Sequence, residues 1–131
     1  NNRTHMIRVP DKGRFELRLM DGAVNPYLLQ AGVIAAGLHG INNKIDPGEP
    51  LSCNMYTDHK NYPNLKKLPD TIENALEQLE NSKEIREAFG TDTINSYLKL
   101  KKSEIENFDQ EETFDKKSPV TQWEKNSTLD C

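Results

Sequence analysis

The sequence predicts an α+β fold, and three stretches carry that prediction. Arg14-Phe15-Glu16-Leu17-Arg18 alternates charged and apolar residues with the period of two that belongs to a β-strand. A second stretch, Thr4 to Pro10, precedes it across Asp11-Lys12-Gly13, where Gly13 suits the left-handed position of a three-residue hairpin loop. From Pro26 onward the apolar spacing becomes helical, first in one nearly all-apolar segment and then in shorter amphipathic ones.

The hairpin register follows from the loop length. A three-residue loop sets Pro10 against Arg14, Val9 against Phe15, Arg8 against Glu16 and Ile7 against Leu17. It gathers Ile7, Val9, Phe15 and Leu17 on one face, whereas a two-residue turn would set Arg8 against Phe15 and spoil both faces. The polar face then holds Arg8, Arg14, Glu16 and Arg18, with Arg3 near the start of the same strand. A carboxylate among guanidiniums suits phosphate, carboxylate and a divalent metal. The plainer reading is the wet face of an amphipathic hairpin, with cross-strand ion pairs of small worth. Four arginines around one glutamate exceed what surface pairing needs, so the pattern is read as a site that expects an anion.

Asp21-Gly22-Ala23-Val24 is a turn into a helix that begins at Pro26, with Asn25 as its N-cap, and runs to about Ile41. Being apolar nearly all round, with small residues at Ala31, Gly32, Ala35, Ala36 and Gly37, it is predicted to be packed on several sides. His39 near its end is read as a capping or packing residue. Residues 42–70 form a long connection, a length that is usually functional or draped over a partner surface. Asp58-His59 there has no companion at metal-ligand spacing.

Asp70 is read as the cap of a helix carrying Ile72, Ala75, Leu76 and Leu79, with Glu73 in the capping-box position. A short helix from about Ser82 to Phe89 ends at Gly90, and a longer one begins near Thr91 with Ile94, Tyr97, Leu98, Ile105 and Phe108 inward. Gln110 to Ser118 reads as loose, and Trp123 as an anchor onto a neighbour.

With 131 residues the chain fits one domain. It is 34% hydrophobic and 29% charged, with a mean hydropathy of -0.82. Most apolar residues lie in the first third, so the remainder is expected to wrap a core rather than to make one. A net charge of -4 argues against a nucleic-acid backbone binder. Tyr27 to Ile41 is too short and too interrupted to span a bilayer, and no segment reads as a signal peptide. Cys53 and Cys131 make no disulfide framework and are read as thiols in a reducing compartment. No Gly-rich phosphate loop, Ser/His/Asp set, zinc pattern or repeat is present in the sequence.

One ordered set of residues resembles a known family. Asn2-Arg3-Thr4, Ile7-Arg8-Val9-Pro10, Gly13-Arg14-Phe15-Glu16-Leu17-Arg18, Asp21-Gly22-Ala23, Asn25-Pro26-Tyr27-Leu28 and Ala36-Gly37-Leu38-His39-Gly40-Ile41 are similar to the C-terminal part of the glutamine synthetases. The resemblance is strong to about residue 50 and weaker to the end. Val120-Thr121-Gln122-Trp123-Glu124 resembles the type III branch, close to the γ-glutamylmethylamide synthetases.

The resemblance implies a hairpin from a catalytic half-barrel, a buried helix and a peripheral helical tail, with residues 1–45 carrying the site and 46–131 the periphery. It implies ATP-dependent ligation of glutamate to ammonia, or to methylamine, through γ-glutamyl phosphate. Arg3 would meet substrate and phosphate, Arg8 and Arg14 the nucleotide phosphates, Glu16 a Mg²⁺ or Mn²⁺ ion, and Arg18 the glutamate. It further implies a cytoplasmic homo-oligomeric ring with active sites between neighbours, binding neither nucleic acid nor membrane. The remaining metal ligands would lie outside these residues, so the chain is read as a portion of an enzyme, inactive alone. Tyr56 falls where some members carry an adenylylated tyrosine; the residues after it, Thr57-Asp58, differ from that site, and it is read as a surface or packing residue. The rival from another class is a non-catalytic anion-binding module built on the same arginine face.

Overall fold

The structure is a computed structural model that describes residues 4–20, 22, 24–111 and 120–128. Its elements are an antiparallel hairpin, β1 (Ile7–Asp11) and β2 (Arg14–Leu17), then α1 (Pro26–Asn42), α2 (Met55–Asp58) and a single 3-10 turn (His59–Asn61). α3 (Ile72–Asn81), α4 (Lys83–Phe89), α5 (Thr91–Glu111) and α6 (Gln122–Thr128) follow. The fold is α+β, as its alternating and helical stretches predict.

In the hairpin, Ile7 lies opposite Leu17 and Arg8 opposite Glu16, the pairs expected from the sequence. Pairing runs on past the strand, with the Arg18 N–H donating to the Met6 carbonyl at 3.0 Å. The loop differs from expectation: it is Lys12-Gly13, two residues and not three, so Asp11, not Pro10, stands opposite Arg14, and a register shift between Arg8 and Asp11 brings Arg8 back opposite Glu16. Pro10 has no N–H to give to a ladder, so a local irregularity around it costs little hydrogen bonding. Gly13 takes φ +79°, the left-handed geometry expected of it.

α1 begins where its cap predicts. Asn25 Oδ1 accepts from the N–H groups of Tyr27 at 3.0 Å and Leu28 at 3.1 Å. At the other end the Asn43 side chain donates to the His39 carbonyl at 2.9 Å. The expectation of a helix packed on several sides is not met, because none of its residues is buried, and Tyr27 and Ile41 are 83% and 73% exposed. α1 lies against α4 alone among the helices with extensive contacts to it. The long connection is not wholly irregular: Asn54 caps α2 by accepting the Tyr56 N–H at 3.1 Å.

The core sits in the second half, against the expectation that this part wraps a core made elsewhere. Leu76 of α3 and Ile94 and Leu98 of α5 are the buried apolar residues among those described, with Leu79, Ile85, Phe89, Tyr97 and Ile105 packed around them. Ile94 and Leu98 are one helical turn apart, so one stripe of α5 meets the stripe of α3. Thr71, not Asp70, is the cap of α3. Thr71 is the extended residue (φ -131°, ψ 161°), and its Oγ1 accepts the Asn74 N–H at 3.3 Å. Ser82 ends α3 and caps α4, and Gly90 turns the chain into α5 with φ +83° and ψ 142°. That backbone region is open essentially to glycine.

α5 continues through Glu111, so two residues read as loose are helical, and residues 112–119 lie outside those described. Trp123 is indeed an anchor: its ring meets Phe108 edge-on at 5.5 Å between centroids. The chain exposes 11385 Å², where a compact monomer of this mass would expose roughly 7,000 Å². Ile7, Val9, Phe15, Ile34, Leu38 and Ile41 are among the apolar side chains left exposed.

Candidate active site

β2 turns Arg14, Glu16 and Arg18 to one side, and the register brings Arg8 of β1 opposite Glu16. The four side chains meet. Arg8 Nη1 donates to both carboxylate oxygens of Glu16, at 3.0 Å to Oε1 and 3.1 Å to Oε2. Arg14 Nη2 reaches Oε1 and Arg18 Nη2 reaches Oε2, each at 3.3 Å. Arg14 is the most exposed of the four, at 66%, and Arg18 the least, at 26%. Arg3 lies outside the described residues.

The arrangement sets the protonation state. Hydrogen bonds from Arg8, then from Arg18, together with their charges, hold the Glu16 carboxyl below the usual carboxylate range, although partial desolvation opposes them. Glu16 is therefore ionised at neutral pH. Three guanidiniums less one carboxylate leave a local charge of 3 - 1 = +2 on a surface open to solvent. An anion is the natural counterpart, and guanidinium grips phosphate or carboxylate in two-pronged fashion.

Around this cluster the structure adds a neighbour that spacing in the sequence did not reveal. The Met55 N–H donates to Thr4 Oγ1 at 3.2 Å, which ties α2 to the residues entering β1. The segment 51–68 is thereby held beside the hairpin. Tyr62 lies in it, with its hydroxyl pushed up by a hydrogen bond to Cys53 and by that group's charge. Cys53 is half-buried, and its Sγ stands 3.7 Å from Met55 Sδ. Tyr56 is 73% exposed at the start of α2, in keeping with a surface tyrosine.

These features define a chain that presents an arginine-rich strand pair of net positive charge on an α+β scaffold. The glutamine synthetase catalytic domain matches residues 1–124. A glutamine synthetase of Rhizobium meliloti (strain 1021) is 48% identical over 130 residues, covering 99% of this chain and 28% of the relative. A glutamate–methylamine ligase of Methyloversatilis universalis is 39% identical over 133 residues, again 99% of this chain and 28% of the relative. The solved structure of a GmaS/ADP complex is similar with a TM-score of 0.76 and 40% identity, covering 100% of this chain and 28% of that one. The chain belongs to the glutamine synthetase family. It spans little more than a quarter of the length of these relatives. Among the described residues, no helix is long and apolar enough to cross a membrane.

Proposed function

We propose that this chain supplies part of the active site of an ATP-dependent ligase that joins glutamate to ammonia through an acyl phosphate on the γ-carboxylate. The observation that carries the reading is the grip of three arginines on Glu16, at 3.0 to 3.3 Å, in a member of the glutamine synthetase family. Moving a phosphoryl group to a carboxylate brings several anions together, and catalysis there is mostly positioning and neutralisation of charge. Arg8 and Arg14, the more exposed guanidiniums, are free to swing onto nucleotide phosphates. Arg18, more enclosed, holds the carboxylate end of glutamate in a fixed place. Arg3 joins them on substrate and phosphate. Within the whole enzyme, residues 1–45 carry this site and residues 46–131 its periphery, in a homo-oligomeric ring.

Glu16 fits one further role. Ionised and offering two hard oxygens, it suits a single ligand position on Mg²⁺ or Mn²⁺. It cannot complete a site, since among the described residues no group of three or more His, Cys, Asp or Glu stands together. The remaining ligands are drawn from outside them. When bound, such an ion supplies neutralisation of phosphate charge. The residues here orient and hold: Arg8 spans both oxygens of Glu16, while Arg14 reaches Oε1 and Arg18 reaches Oε2.

Methylamine is the second acceptor to consider, supported by the 39% identity to a glutamate–methylamine ligase. Comparing ammonium with methylamine as acceptor for the whole protein decides between them. Glu16→Gln in the whole protein tests the site itself. The expected result is loss of divalent-ion dependence and a fall in rate on the order of 10²–10³-fold. A variant that keeps its ion dependence, and binds its anion as well or better, would make the cluster a non-catalytic anion receptor.

A further inference from the structure

Between the residues entering β1, the end of β2 and the segment 51–68 lies an open groove of about 880 Å³. Its polar lining includes Arg18, Lys66, Lys67, His5, His59 and Tyr62, and no acidic residue lines it. Leu51, Met55, Leu65 and Leu68 contribute apolar walls. That is unusual in a chain whose net charge is -4. Asp58, the one acidic residue of the segment 51–68, is turned to its own helix. It accepts the Asn54 N–H at 3.2 Å and the Thr57 hydroxyl at 2.9 Å. Lys66 and Lys67 have no ion-pair partner among the described residues. His5, which also lines the groove, has a buried Nε2 with no hydrogen-bond partner among them. A buried polar atom without a partner is rare enough to require one, and a ligand or its water would serve.

Arg18 belongs to both places, since it donates to Glu16 and also lines the groove. A cleft lined by one sign of charge between low-dielectric walls focuses its field and concentrates the opposite ion. We infer that this groove is the path by which the anionic amino-acid substrate reaches Arg18, with Lys66 and Lys67 as its steering residues. The inference rests on the reading of Arg18 as the glutamate-holding arginine and deepens it. Lys66 and Lys67 touch neither nucleotide nor reacting atoms in this scheme; they raise the rate of productive encounter and the local concentration of a dicarboxylate.

The test uses the whole protein with Lys66→Gln/Lys67→Gln, and Lys66→Arg/Lys67→Arg as the charge-keeping counterpart. At low salt, kcat/KM for glutamate should fall about tenfold, the lower end of what focusing supplies, with kcat at saturation and KM for ATP unchanged. High salt should bring wild type and variant together, and the arginine pair should behave as wild type. An unchanged kcat/KM at low salt, an equal fall in kcat, or failure of the arginine pair to restore it would each overturn the inference. Titration calorimetry with glutamate separates this from the ligase reading. If the wild-type protein forms no amide, the ligase reading fails, while a tenfold weaker affinity in the glutamine pair upholds the groove and an unchanged affinity overturns it.

Discussion

The hairpin with α1 and the bundle of α3, α4 and α5 treat apolar side chains in opposite ways. The first region has the apolar sequence, yet Val9 is 72% and Ile41 73% exposed, and nothing in α1 is buried. The second is far more charged, yet Leu76, Ile94 and Leu98 are 4–6% exposed and closed over by Phe89, Tyr97 and Ile105. The bundle is amphipathic and satisfies itself with one stripe per helix. A helix that is apolar all round, and a hairpin whose apolar face has no cover, need surfaces on more sides than their neighbours here supply. The glutamine synthetase relatives are more than three times longer than the stretch they share with this chain, which is where such surfaces are to be sought. The proposed site follows the same division, because the cluster of three arginines and Glu16 lies on the uncovered hairpin and not in the self-sufficient bundle.

The sharpest way to break this contrast is to cut the same kind of side chain in both regions. Leu98→Ala should destabilise the 131-residue chain by about 2–5 kcal/mol, the cost of a cavity in a core, whereas Ile34→Ala on α1 should stay within about 0.5 kcal/mol. Urea unfolding reads both. Equal losses would mean that α1 is buried in solution after all. In the whole protein Ile34→Ala should become costly, since a covering surface would then be lost.

A smaller effect is expected at the bundle's edge. Thr71→Ala should cost about 1 kcal/mol of stability by leaving the Asn74 N–H without its cap, and Asp70→Ala should cost much less. If Asp70→Ala proves the more damaging in thermal unfolding, the cap assignment moves back to the residue that the sequence pattern suggested.

The smallest expected effect concerns titration. The Glu16 carboxyl is lowered by guanidiniums, that of Glu73 by hydrogen bonds from Thr71 and its own backbone. A carboxylate whose pKa is depressed in the folded state stabilises above the ordinary carboxylate range, and that contribution is lost as pH falls through the folded pKa. Both sites therefore loosen on acidification, not on alkalinisation. Salt distinguishes them, since exposed ion pairs are screened and short hydrogen bonds much less so. Carboxyl chemical shifts followed by NMR should show the Glu16 midpoint climbing with added NaCl while that of Glu73 barely moves. Equal climbs would mean that charge weighs as much at the cap as it does beside the guanidiniums of Glu16.

Sequence alone determined the pieces whose causes are local. The period-two run set which residues of β2 share a face, the Asn-Pro pair started α1, and Gly90 had to be a break between helices. The gathering of Arg14, Glu16 and Arg18 was legible for the same reason, as strand alternation needs no knowledge of the rest of the fold. The pairing of Arg8 with Glu16, by contrast, came from a two-residue loop and a register shift and not from the three-residue loop expected. Thr71 and Asp70 could not be told apart, because neighbouring cap-forming residues are separated only by which one adopts the extended backbone.

Tertiary structure decided what depends on distant residues meeting. Only it placed the core in the charged half, since burial depends on which stripes find each other and not on how many apolar residues a stretch holds. The hydrogen bond from Met55 to Thr4, across 51 positions of sequence, brought Lys66 and Lys67 to the groove that Arg18 lines. Nothing in the spacing of a lysine pair foretells such a meeting, because chain closure over that distance is fixed by packing and not by local propensity.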